Sequence, residues 1–71
     1  MAKKVPKTKD DRIADITRRA YVIFAKFNGE KWLKSKIETL GGRRPIDLAK
    51  TVRGYQKVDE ILDQIESGAF L

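Results

Sequence analysis

Residues 40–48 constrain this 71-residue chain more than any other stretch. They read Leu40, Gly41, Gly42, Arg43, Arg44, Pro45, Ile46, Asp47 and Leu48. Glycine reaches backbone conformations with positive φ that other residues avoid. Proline suits the first turn of a helix, where its missing N–H is not needed. The stretch therefore reads as a tight connection followed by a helix start. Leu40, Ile46 and Leu48 give it apolar side chains to bury on both sides of the turn.

A chain of this length allows one small domain. It contains no cysteine and no histidine, so a disulfide staple is excluded. Zinc sites built from those two residues are excluded as well, as are Ser-His and Cys-His nucleophile pairs. What remains to hold the fold is an apolar core. No apolar run reaches the roughly 18 residues of a membrane span. The first nine residues lack the apolar middle of a signal peptide, which gives a cytoplasmic expectation.

Residues 1–9 hold four lysines and one proline and have little to bury; they are expected to form a disordered basic arm. Residues 10–71 are expected to form a single all-α domain of about four helices. The first helix is predicted over residues 10–27, with Ile13, Ile16, Ala20, Ile23, Phe24 and Phe27 at three- and four-residue steps. Tyr21 and Val22 widen its apolar face, Thr8 caps its start, and Asn28–Gly29 stops it. A second, shorter helix is predicted from Glu30 to about Lys36, with Trp32 as a core anchor or, alternatively, an interface anchor. A third runs from Pro45 to about Lys50. A fourth runs from Val52 to about Ser67, capped by Thr51 and closed by Gly68. Tyr55, Val58, Ile61, Leu62 and Ile65 form its apolar stripe. Gly54, in its first turn, is suited to close approach of a neighbouring backbone. No strand is predicted.

The net charge is +6, and it is unevenly placed. Residues 1–36 hold 11 basic and 4 acidic residues, whereas residues 37–71 hold 5 and 6. A basic front half suits a polyanionic partner. On that reading Lys3, Lys4, Lys7, Lys9, Arg18 and Arg19 are candidate nucleic-acid contacts, in a small DNA-binding protein or repressor without sequence readout. Catalysis has little support, and no cofactor is expected. Asp59, Asp63 and Glu66 share one helical side, which reads as a solvated face and not as a metal site.

The order of these features is similar to a known family. Trp32–Leu33, the run from Leu40 through Gly41, Gly42, Arg43, Arg44, Pro45 and Asp47 to Leu48, then Gly54, Val58, Leu62, Ile65 and Gly68, resembles the toxin-binding domain of Xre/MbcA/ParS antitoxins. The resemblance covers about residues 24–71. It implies a helical domain that binds a cognate RES-domain toxin, one that degrades NAD or transfers ADP-ribose from it. It further implies a homodimer or hetero-oligomer, and inhibition by a C-terminal end that covers the toxin's active site. Carried onto this chain, the toxin-contacting residues are Asp59, Asp63, Glu66, Gly68, Ala69, Phe70 and Leu71. An acidic last helix suits an active site lined with phosphate-binding bases. Two departures from the family pattern stand out. Only about 30 residues precede Trp32, short of the helix-turn-helix region that most relatives carry. Residues 34–39 lack the Pro-Asn-type link, so a more helical connection is expected.

Overall fold

In a computed structural model, residues 5–68 are described. They form α1 (Lys9–Phe24), α2 (Lys26–Lys34), a 3-10 turn (Glu38–Leu40), α3 (Pro45–Leu48) and α4 (Val52–Glu66). There is no strand among the described residues, only an isolated antiparallel bridge between Ile37 and Arg43. The all-α expectation holds.

The predicted caps act as expected. The Thr8 hydroxyl accepts from the Asp11 N–H at 3.1 Å, and the Thr51 hydroxyl accepts from the Gly54 N–H at 3.0 Å. The boundary between the first two helices does not fall where Asn28–Gly29 placed it. The break is at Ala25, with φ 68° and ψ 163°. Among the described residues Ala25 is the one non-glycine residue at positive φ. Such a conformation costs about 1–3 kcal/mol. Asn28 and Gly29 sit inside α2 instead. Gly29 serves contact, not termination: a Cβ there would lie 2.7 Å from the Ala20 carbonyl oxygen. The early break also turns Phe27 outward, to 72% exposure, away from the core face it was assigned. Val22 is exposed as well.

After α2 the chain is extended from Ser35 to Ile37, so the second helix ends before Lys36. The expected helical connection is confined to the 3-10 turn. Gly41 and Gly42 follow at φ 72° and 74°, and the Gly42 N–H donates to the Ile37 carbonyl at 2.9 Å. Pro45 opens α3 and is buried, and Arg44 grips Asp47 through two hydrogen bonds of 2.7 and 3.0 Å. The third helix is shorter than predicted, because Ala49 and Lys50 form a turn. Gly54 lies closer to a neighbouring backbone than Gly29, Gly41 or Gly42 does. A Cβ there would fall 1.9 Å from the Leu48 carbonyl oxygen. The α3–α4 corner therefore closes only over glycine.

The core is built from Ile16 and Ala20 of α1, Leu33 of α2, Leu40, Ala49, and Tyr55, Val58 and Leu62 of α4. A polar seam fixes α4 alongside α1. At one end the buried Arg12 guanidinium donates to the carbonyls of Ala49 (3.2 Å), Lys50 (2.8 Å), Pro6 (3.2 Å) and Lys7 (3.0 Å). Val5 also packs against the core, so residues 5–8 lean on the domain; Met1 to Lys4 lie outside the described residues. In the middle the Tyr55 hydroxyl donates to Asp15 at 2.5 Å. Burial, with that hydrogen bond, pushes the Tyr55 phenol far above its usual range. At the far end Arg19 binds Asp59, Asp63 (2.6 Å) and Glu66 (3.2 Å). Successive contacts advance along both helices in the same direction, so α1 and α4 run parallel.

Gly54→Ala, which gains up to about 1 kcal/mol in an open helix, here destabilises by about 3 kcal/mol through overlap with the Leu48 carbonyl. Ala25→Gly stabilises by about 1 kcal/mol by releasing the positive-φ strain. Urea unfolding followed by circular dichroism reads both. In the seam, Arg19→Met removes the cation that links α1 to three carboxylates, of which only that of Asp59 is largely shielded from water, and costs about 1 kcal/mol. Glu66→Gln, at a solvent-exposed partner, costs less than about 0.5 kcal/mol. The same unfolding measurement ranks the two.

Candidate functional site

The break at Ala25 leaves Phe24 as the last residue of α1, at the end of the bundle. There its ring meets Trp32 of α2, with centroids 5.3 Å apart and planes tilted by 35°. Ile37 from the extended link, Thr39, and Ile61 and Ile65 from α4 complete an open groove of about 320 Å³. Its lining is almost wholly apolar, and Thr39 is its one hydroxyl-bearing residue. Trp32 is thus half-buried: it packs against the core and also lines this surface groove. Ile61 and Ile65 come from the apolar stripe of α4, where a helix turns more apolar residues inward than the core holds.

The groove lies beside the last turn of α4. Ser67 follows that turn, and Gly68 at φ 82° closes the helix, as its sequence position predicts. Ala69, Phe70 and Leu71 lie outside the described residues. On the α1 side of the same helix are Asp59, Asp63 and Glu66. Their exposure differs: the Asp59 side chain is 13% exposed, those of Asp63 and Glu66 52% and 58%. All three meet Arg19. Burial works against the charged guanidinium, but the hydrogen bond to Asp63 and the charges of Asp59 and Asp63 outweigh it and hold Arg19 above its ordinary value.

Sequence reasoning put Arg19 among the nucleic-acid contacts and the three acids among the toxin contacts. The structure brings all four into one ion cluster. Arg18 is exposed and pairs with Asp15 at 2.9 Å. Lys7 and Lys9 are exposed, and Lys3 and Lys4 lie outside the described residues. Leu33 of α2 is buried; of residues 40–48, Leu40 and Pro45 are buried, Leu48 is half-buried and Gly41, Gly42 and Arg43 are exposed. They shape the α3–α4 corner. Among the described residues no group of three His, Cys, Asp or Glu side chains could hold a metal ion. Nor is any helix there long and apolar enough to cross a membrane.

Two features escaped the sequence reading. Arg12 is buried, at 7% exposure, four residues before the core residue Ile16. A charged side chain one turn ahead of a core isoleucine, on the same stripe, is the signal that could have found it. The groove was hidden because Phe24, Ile61 and Ile65 read as parts of apolar helix faces, while Ile37 and Thr39 fell in the link after the second helix.

Comparison with known proteins agrees with this architecture. The family described as antitoxin Xre/MbcA/ParS C-terminal toxin-binding domain matches residues 25–68, which begin at the Ala25 break and end at the Gly68 cap. The Prs ADP-ribosylating antitoxin of Sphingobium sp. (strain YBL2) is 49% identical over 39 residues. That alignment covers 55% of this chain and 24% of the relative's length. No solved structure matches. With the family match spanning more than half of its residues, the chain belongs to the antitoxin Xre/MbcA/ParS C-terminal toxin-binding domain family.

Proposed function

We propose that this antitoxin domain neutralises a RES-domain, NAD-consuming toxin by seating the toxin on the Phe24–Trp32 groove and directing its own C-terminal end over the toxin's active site. The observation that carries this reading is the position of the groove. It is an open apolar surface, lined by two aromatic rings, directly beside the last turn of α4. Interfaces draw most of their affinity from a few aromatic and large apolar anchors in such settings. Residues 68–71 follow immediately, so a toxin held at the groove lies within reach of the chain's end. The half-exposed Asp63 and Glu66 add negative charge to that end, which suits a cleft that binds the phosphates of NAD. The name of the Sphingobium relative couples an antitoxin to ADP-ribosylation, a reaction in which NAD supplies the ADP-ribose.

The reading separates holding from inhibiting. Residues 68–71 inhibit, and the groove holds. In cells expressing the cognate toxin, a chain lacking residues 68–71 is expected to co-purify with the toxin yet fail to protect growth or the NAD pool. Ile65→Glu is expected to lose co-purification at least tenfold, the effect of about 1.4 kcal/mol at an interface. Full protection by the truncated chain overturns the inhibitory role of the C-terminal end.

A further inference from the structure

The last turn of α4 is unfavourable when taken alone. Asp59, Asp63 and Glu66 follow one another at steps of four and three residues, so their carboxylates are neighbours on one side of the helix. Like charges at that spacing repel. Asp63 and Glu66 also stand near the negative end of the helix dipole, where carboxylates are disfavoured, and the last turn of α4 holds no basic residue to offset them. Apolar packing does not compensate. The buried residues of α4 are Gly54, Tyr55, Val58 and Leu62, and from Asp63 to Gly68 no residue is buried. Ile65 is half-buried, on the wall of the open groove.

Arg19 supplies the missing cation from α1. Its guanidinium meets all three acids, at 2.6 Å from Asp63 and 3.2 Å from Glu66, the final residue of α4. Its base is fixed, because Ile16 and Ala20 on either side of it along α1 are both at 0% exposure. At about 3.6 residues per turn the three acids lie on a different side of α4 from Ile61 and Ile65. Arg19 is not among the residues lining the groove, so it holds the helix from a flank that the groove does not use. The chain leaves α4 directly from the turn that Arg19 grips: Ser67 caps it and Gly68 follows at φ 82°. One cation against three carboxylates also leaves the cluster net negative.

We propose that Arg19 is the positioning residue of the inhibitory end: it locks the last turn of α4 to α1, so that the chain leaves the helix from a fixed point, and it takes no part in holding the toxin. This rests on the reading that residues 68–71 inhibit. An end fixed before the toxin arrives has less conformational freedom to lose on binding.

Amide hydrogen exchange of the free full chain tests the lock. Arg19→Met is expected to speed exchange of the backbone amides of residues 64–67 about fivefold, the effect of ion pairs of this exposure. Ile16→Val, which weakens the core, is expected to leave those amides unchanged, since the end of a helix opens locally. The toxin that co-purifies with the full chain tests the consequence, through its NAD consumption at saturating chain. Arg19→Met is expected to bind that toxin with the parent's affinity yet leave residual activity at saturation. Ile16→Val is expected to inhibit like the parent. Arg19→Lys, which keeps the charge but not the planar fork, is expected to fall between parent and Arg19→Met. Unchanged exchange at residues 64–67 in Arg19→Met overturns the proposal, and so does full inhibition by that variant. Equal loss of inhibition in Ile16→Val reduces the effect to stability and overturns it as well. Weakened toxin binding by Arg19→Met makes Arg19 a contact and has the same result. A chain lacking residues 68–71 separates the two levels. If it fails to inhibit while Arg19→Met inhibits fully, only the positioning role falls; if it inhibits fully, the underlying reading falls and the proposal with it.

Discussion

The fold depends on one face of α1 that is polar and apolar at once. Arg12, Asp15 and Arg19 reach α4 and the corner before it, while Ile16 and Ala20 on the same stripe enter the core. A domain of this size has little apolar surface to spare. The seam adds directional contacts at both ends of a helix pair whose middle is Ile16, Val58 and Leu62. The buried ends are satisfied: Arg12 has four carbonyl acceptors, and no buried side-chain polar atom among the described residues lacks a partner. That matters, because a half-satisfied buried charge costs more than it contributes.

Holding α4 parallel to α1 decides what the rest of the surface offers. The parallel pairing brings the last turn of α4 to the end of α1, where Phe24 and Trp32 stand. The apolar groove is the product of that alignment and of the break at Ala25. The opposite end of α4 meets the glycine turn, where Arg43, Arg53 and Lys57 line a shallow groove with Leu40 and Leu48. Charge and apolar area are therefore sorted by helix polarity: apolar anchors and acids at the C-terminal end of α4, cations at its N-terminal end.

Much of this was legible in the sequence, and the remainder has identifiable reasons. The helix count, both threonine caps, the Pro45 start, the Gly68 stop and the close approach at Gly54 follow from local chemistry, and each stands in the structure. The boundary near residue 25 was not legible, because an alanine carries no signal of a positive φ. Asn28–Gly29 offered a conventional stop three residues later. That single error moved Phe27 from the surface to the core. The groove was illegible for a different reason. Periodicity tells which face of a helix is apolar, but not how much of that face the neighbours cover. Ile61 and Ile65 look the same in sequence whether they are sealed or lining a groove. Likewise, the acids of α4 read as a solvated face until the register of α1 against α4 sets Arg19 among them.

The central claim is that the groove and the end of α4 form the toxin-binding surface. Amide hydrogen exchange of the full chain, alone and bound to its cognate toxin, tests it most directly. The account predicts added protection in two places: the last two turns of α4, around Ile61 and Ile65, and the segment from Trp32 to Thr39. It predicts little change at the double-glycine turn and the start of α4. Protection confined to those last two regions, with Trp32 and Ile65 exchanging as in the free chain, would contradict it.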